Sequence, residues 1–149
     1  MNAKKDARAL LRARPRSEHE LRSRLRLKGH DEAAIDAVIS ALKRANEIDD
    51  ARFARLWIES RMYSNPAGDI VLQEELKAKG LGDAVIDAAL AEKAGKYDEY
   101  KVAMNMAVER FAQLRKIDRR KALKRLYDFL VRRGFNIDTV QRIIDELVH

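Results

Sequence analysis

Apolar residues recur at the same offsets around three glycines of the chain. Aligned on Gly29, Gly80 and Gly134, the sequence has apolar residues eight and four positions before each glycine and six and ten positions after it. These residues are Leu21, Leu25, Ile35 and Ile39, then Leu72, Leu76, Ile86 and Leu90, then Leu126, Leu130, Val140 and Ile144. Leucines four positions apart share one helix face, and a glycine just after them suits a left-handed helix end. The pattern therefore predicts a helix, a tight turn and a second helix, three times over.

Polar capping residues extend this pattern to nine helices. We expect helices near residues 4–14, 17–28, 31–45, 49–63, 67–79, 83–94, 97–115, 118–133 and 137–148. Ser17 and Glu20 form a capping-box pattern, and Pro66 separates two helices. The other expected caps are Asp31, Asp49, Asp83, Asp98, Asp118 and Asn136. Because alternation of period two is absent, the sequence predicts an all-α, elongated protein of three tandem three-helix repeats, residues 1–48, 49–95 and 96–149.

Composition narrows the class of protein. The 149 residues include no cysteine, so disulfide bonds and thiolate metal sites are excluded. The first five residues lack the apolar stretch of a signal peptide, and no run of about eighteen apolar residues is present. We therefore expect a cytoplasmic protein with no membrane partner. The sequence has no surplus of apolar residues that would indicate a further interface. We therefore expect a monomer.

Positive charge is concentrated toward the two ends of the chain. Residues 8–28 have a net charge of +6, residues 115–133 a net charge of +7, and residues 29–114 a net charge of −5. Basic helices of this kind attract a phosphate backbone or an acidic protein surface, although charged helix faces also simply keep small proteins soluble. The candidate contact residues lie off the apolar stripes: Arg22, Arg26, Arg119, Arg120, Lys124, Arg132 and Arg133.

Catalytic chemistry has little support in the sequence. The glycines stand singly at helix ends, and no phosphate-binding loop is present. We assign structural or neutral roles to His19, His30 and His149, and a capping role to the Asp49–Asp50 pair. The sequence therefore predicts a protein that is not an enzyme and that has no cofactor, metal site or catalytic residue.

Several segments together resemble the bacterial recombination regulator RecX family. They include Arg16–Leu21, Asp49–Ala54, Lys79–Leu81 and Arg132–Phe135, and the resemblance covers essentially the whole chain. It implies tandem three-helix repeats in a curved, elongated arrangement. It also implies binding to the RecA recombinase filament on single-stranded DNA, in the filament's helical groove, where proteins of this family bridge protomers and restrain ATP hydrolysis and strand exchange.

Two other classes of function stay open at this point. One is a helix-turn-helix-like module that binds single- or double-stranded DNA without a recombinase partner. Against it, the helices expected after Gly29 and Gly80 contain mainly Asp, Glu and Ala rather than groove-reading side chains. The other is a helical scaffold with no link to nucleic acid. Binding to a recombinase filament, compared with binding to bare DNA, distinguishes these classes.

Overall fold

The computed structural model describes residues 2–148. In it, the helical pattern and the capping residues of the sequence correspond to an all-helical chain. Over these residues the chain forms nine α-helices and no strand. The helices are α1 (Ala3–Ala13), α2 (Glu18–Leu27), α3 (Glu32–Arg44), α4 (Asp50–Ser64), α5 (Asp69–Ala78), α6 (Asp83–Lys96), α7 (Glu99–Gln113), α8 (Arg119–Arg132) and α9 (Ile137–Val148). Among the described residues, no helix combines the length and the hydropathy that a membrane crossing requires.

Helix starts follow the capping chemistry, with one exception. Ser17 and Glu20 form the complete capping box, in which the Ser17 hydroxyl accepts the Glu20 N–H and the Glu20 carboxylate accepts the Ser17 N–H. The side chains of Asp31, Asp49, Asp98, Asp118 and Asn136 accept backbone N–H groups at the starts of their helices, as predicted. The prediction for Asp83 was wrong. The Gly82 carbonyl accepts the first helical bond, from Ile86, and Asp83 is the first residue of α6.

The three aligned glycines close the second helix of each group in the same way. Gly29, Gly80 and Gly134 have φ angles of +93°, +82° and +89°. Each glycine N–H and the N–H after it return to carbonyls of the last helical turn, as in Gly134 to Val131 and Phe135 to Leu130. This is the Schellman arrangement, and it requires a left-handed residue that glycine adopts without steric cost. The repeat visible in the sequence is thus a repeat of helix ends.

A fourth helix end uses asparagine in place of glycine. Asn46, after α3, has a φ of +55°, and it is the non-glycine residue with positive φ among those described. Its N–H donates to the Lys43 carbonyl at 3.0 Å, and the Glu47 N–H donates to the Leu42 carbonyl at 2.9 Å. Asparagine tolerates the left-handed region better than other residues with a side chain. The α3 helix therefore ends by the same hydrogen-bond pattern as α2.

By internal contacts, the chain divides into two compact units. The first comprises Met1–Trp57 and Leu76–Ala89, and the second comprises Ile58–Glu75 and Leu90–His149. In the first unit, α1, α2 and α3 pack on one another around a core with Leu21, Leu25, Ile35 and Ile39. In the second, α7, α8 and α9 enclose a core with Leu126, Leu130, Phe135, Val140 and Ile143.

Two of the twelve aligned apolar positions are less buried than expected. Leu90 and Ile144 are half-buried, whereas the preceding residues, Ala89 and Ile143, are fully or almost fully buried. A helix of 3.6 residues per turn advances past a repeat of exact fours, so the inward position drifts by one residue along a long helix. The other ten positions are buried, as the pattern predicts.

Within the second unit, the start of α5 packs against the glycine turn that ends α8. The Gly68 N–H donates to the Arg133 carbonyl at 2.8 Å, and the Ile70 N–H donates to the Gly134 carbonyl at 3.2 Å. The free N–H groups of one helix start thereby satisfy the free carbonyl groups of another helix end. A side chain on Gly68 has no room, because its Cβ would lie 2.2 Å from the Gly134 oxygen.

A related junction lies within the first unit. The Ser17 hydroxyl, at the start of α2, donates to the Lys79 carbonyl at 2.6 Å. The adjacent Gly80 is so close to His19 that a Cβ on the glycine would lie 2.2 Å from the His19 Cβ. Each unit therefore contains one contact between a helix start and a glycine-closed helix end.

Replacing Gly68 by alanine tests the junction in the second unit. Since the added methyl group collides with backbone rather than with a flexible side chain, we expect Gly68→Ala to lower the free energy of unfolding by about 1–3 kcal/mol. The matched control is Gly95→Ala, because Gly95 lies within α6 and has open space around its Cβ position. That variant should gain up to about 1 kcal/mol. Urea unfolding followed by circular dichroism measures both, and equal midpoints for the two variants would contradict the junction.

Candidate functional site

The two bases of α2 that the sequence analysis proposed as contact residues form ion pairs with acidic side chains. The Arg22 guanidinium contacts Asp36 at 2.6 Å and Glu18 at 3.2 Å. Arg26 forms a two-point ion pair with Glu32, with distances of 2.5 and 3.2 Å. The hydrogen bond from Arg26 holds the pKa of the Glu32 carboxyl below its usual value. The charges of Arg22 and Arg26 are therefore compensated by acids of α2 and α3.

The start of α2 concentrates further ion pairs in the first unit. Glu20 contacts Arg14 at 3.0 Å and Lys79 at 3.2 Å while completing the capping box. Burial raises the pKa of Glu20, but hydrogen bonds from Arg14, the Ser17 N–H and Lys79 lower it by more, so the net shift is downward. Glu20 therefore stays ionised and links three segments of the unit.

Arg133 is a structural residue rather than a free base. Its guanidinium donates to the Pro66 carbonyl at 2.5 Å and to the side chain of Asn65. Burial lowers the pKa of Arg133, with the nearby Arg61 adding to that effect. The side chain holds the segment before α5 against the end of α8, next to the backbone junction at Gly68 and Gly134.

Arg119 is also used within the fold. Its guanidinium donates to the Leu147 carbonyl at 2.7 Å and to the Val148 carbonyl at 3.1 Å. These are among the last carbonyl groups of α9, which have no partner inside their own helix. A cation at that end also suits the negative pole of the helix dipole. Arg119 therefore caps α9, although its side chain remains exposed.

The remaining predicted bases of α8 lie on its exposed side. Arg120, Lys124 and Arg132 are separated by one and two helical turns, and all three are exposed. Lys124 is 4.0 Å from Asp128, at the limit of an ion pair, and within the described part of the chain neither Arg120 nor Arg132 has an ion-pair partner. Side chains four positions apart follow one stripe of a helix. We call this stripe, with Lys121 and Arg125 beside it, the outer face of α8.

Sequence reasoning missed several bases near this face. Arg115, Lys116, Lys121 and Arg125 are exposed, and no ion pair holds them among residues 2–148. All four are included in the net charge of residues 115–133. No acid lies three or four positions from Lys116, whereas Lys121 has Asp118 and Arg125 has Asp128 at that spacing. Acids at helical spacing therefore do not separate these bases from Arg22, which pairs with Glu18 one turn earlier.

Two of the three histidines serve local structure. The His30 ring Nε2 lies 2.7 Å from an Asp6 carboxylate oxygen, and the imidazole is almost completely buried. That hydrogen bond lowers the pKa of Asp6. His19 packs against Gly80 through its Cβ and ring. His149 lies outside the described residues.

The fold and these surfaces define a class of protein built from tandem three-helix domains. Comparison with protein families gives the domains in order. The first RecX three-helix domain matches residues 3–42, the second matches residues 49–90, and the third matches residues 97–144. The chain therefore belongs to the RecX family.

Relatives over most of the chain carry the same family name. "Regulatory protein RecX" of Amycolatopsis mediterranei is 36% identical over 140 residues, which are 92% of this chain and 78% of the relative. "Regulatory protein RecX" of Prosthecochloris aestuarii is 35% identical over 135 residues, 91% of this chain and 86% of the relative. These relatives are named regulatory proteins rather than enzymes.

Solved structures share the fold. The crystal structure of RecX from Lactobacillus salivarius matches with a TM-score of 0.86 at 22% identity, over 97% of this chain and 94% of that one. A second crystal structure of a regulatory protein RecX matches with a TM-score of 0.84 at 20% identity, over 96% of this chain and 70% of the other. At these identities the likeness shows the tandem three-helix architecture.

Two neighbouring arginines at the end of α8 test the distinction between structural bases and exposed bases. Arg133→Ala leaves the Pro66 carbonyl and the Asn65 amide without their donor, so we expect a loss of about 1–3 kcal/mol in the free energy of unfolding. Arg132→Ala removes an exposed base and should change stability by no more than about 0.5 kcal/mol. Chemical denaturation of both variants measures the difference, and a stability loss for Arg132→Ala equal to that for Arg133→Ala would refute this assignment.

Proposed function

We propose that this protein binds the RecA recombinase filament and modulates its activity in recombination and DNA repair, mostly by inhibiting ATP hydrolysis and strand exchange. The observation that carries the proposal is the match of all three RecX three-helix domains in order along the chain. Relatives over more than nine tenths of this chain are named regulatory proteins. A regulator of this kind needs contact surfaces rather than a reaction centre, and it acts in the compartment of its partner, the cytoplasm.

The charge distribution supports a particular contact surface. DNA phosphates and acidic protein side chains both attract unpaired bases. Arg22 and Arg26 are compensated by Asp36, Glu18 and Glu32. Among residues 2–148, Asp128 is the acid found beside the outer face of α8. We therefore assign the main electrostatic contact to the outer face of α8, and a weaker one to α2.

Inhibition of RecA is the direct test of the proposed function. The purified protein should lower the DNA-dependent ATPase rate of RecA in a saturable manner while hydrolysing no ATP itself. A coupled ATPase assay on single-stranded DNA, with the protein titrated against a fixed filament concentration, measures this effect. Unchanged hydrolysis at saturating protein would reject the regulatory proposal, and an ATPase activity that survives purification would reject the assignment as a non-enzyme.

The contribution of the bases is tested by two double variants. Arg120→Ala with Lys124→Ala should remain within about 0.5 kcal/mol of the parent per site in stability. It should weaken filament binding and flatten the dependence of affinity on salt, because fewer counterions are released on binding. Arg22→Ala with Arg26→Ala serves as the matched control, since the same number of bases is removed from a compensated surface.

We expect a smaller change in salt dependence for the α2 variant than for the α8 variant. Binding is measured by fluorescence anisotropy across a salt series, on the filament and on bare DNA of equal length. Parental affinity and salt slope in both folded variants would show that the bases only solvate the surface. Equal binding to bare DNA would instead favour the DNA-binding module.

A further inference from the structure

An open apolar groove lies within the second unit, at the end of the third three-helix domain. Its volume is about 450 Å³. The end of α7, the connection to α8 and the end of α9 line it with Val108, Phe111, Ala112, Leu114, Ile117 and Leu147. A volume of this size accommodates a few apolar side chains, as binding pockets generally do. Arg119, which caps α9, also lies in this lining.

The lining of the groove is accessible and not merely a packing defect. Val108 is 54% exposed, and Ala112, one turn later on the same face of α7, is exposed as well. At the bottom lies Ala122, which is almost completely buried. An apolar side chain from outside can therefore cover Val108 and Ala112 while reaching the floor. Burial of that apolar surface favours binding.

Positive charge lies at one side of the opening. Arg115 and Arg119 line it directly, and Lys116, Arg120 and Lys121 follow in the same stretch of exposed chain. No acidic side chain lines the groove among the described residues. Asp118, the acid closest in sequence, is engaged as the cap of α8. The groove thus combines an apolar floor with a cationic rim.

We propose that this groove binds an acidic peptide segment that carries apolar anchor residues, supplied by a partner protein. Aliphatic lining suits aliphatic side chains, whereas single-stranded nucleic acid is generally held by exposed aromatic rings that stack on bases. Phe111, the one aromatic ring in the lining, is half-buried. A symmetric dimer through the groove is disfavoured, because two cationic rims would face each other. This proposal is separate from the proposed modulation of RecA. It specifies the chemistry of the bound peptide and does not depend on which protein carries that peptide.

The test uses a short fluorescein-labelled peptide with leucines one helical turn apart, flanked by glutamates. Two companion peptides separate the contributions: one has glutamine in place of glutamate, and the other has serine in place of leucine. We expect the acidic leucine peptide to bind, each companion to bind at least about tenfold more weakly, and the affinity to fall with added salt. Methyl NMR should show shifts at Val108, Leu114, Ile117 and Leu147.

Variants of the groove provide the protein side of the test. Val108→Asp places a carboxylate where an acidic ligand would lie, and it should weaken peptide binding at least about tenfold. Ala112→Glu repeats the test at a second exposed position of α7. The matched control is Ile137→Asp, because Ile137 is an aliphatic residue 49% exposed at the start of α9, far along that helix from Leu147. Circular dichroism checks that each variant is folded.

Several results would overturn the assignment. These are parental binding by both groove variants, equal binding of the serine peptide, or groove methyl shifts produced by an oligodeoxynucleotide and not by the peptide. Self-association that Val108→Asp abolishes would assign the groove to a second copy instead. The RecA ATPase assay is run on the same variants. Loss of peptide binding with parental inhibition of RecA would leave both proposals standing, whereas failure of inhibition by the parent rejects only the proposed function.

Discussion

The structure depends on how a helix can end when another helix must start against it. An α-helix leaves its last carbonyls and its first N–H groups without partners inside the helix. At the end of α8, the glycine turn offers the carbonyls of Arg133 and Gly134 to the N–H groups of Gly68 and Ile70. The approach is possible only because both glycines lack a Cβ. At Gly134, the left-handed helix end and the close backbone packing therefore both require glycine.

This constraint explains why a base precedes each glycine of the repeat. Lysine or arginine at the helix end interacts favourably with the negative pole of the dipole, and its side chain can also reach a neighbouring segment. Lys79 contacts Glu20, and Arg133 holds Asn65 and the Pro66 carbonyl. Lys79 and Arg133 thereby stabilise the units, so they contribute less to binding than their charge suggests. The bases left for a partner are those that no helix end requires.

Charge and apolar surface then meet at the start of α8. The outer face of this helix is well solvated and mostly unpaired, while the groove beside its first turn is apolar. Electrostatic attraction acts at long range and speeds encounter, whereas apolar contact acts only after docking and slows dissociation. Arg119 joins the end of α9 to the start of α8 beside the groove.

The sequence by itself determined the nine helices of the described residues, most of their caps and the three glycine ends, because these features depend on interactions within a few residues. Only the tertiary structure decided which bases are free. Arg26 finds Glu32 across a turn, and Arg133 finds Pro66 from a distant segment. Helical spacing cannot reveal such partners, since they depend on how separate helices pack. The groove beside Val108 also depends on tertiary packing. Residues of α7, of the segment that leads into α8 and of the end of α9 line it together, so no single segment of the sequence predicts it.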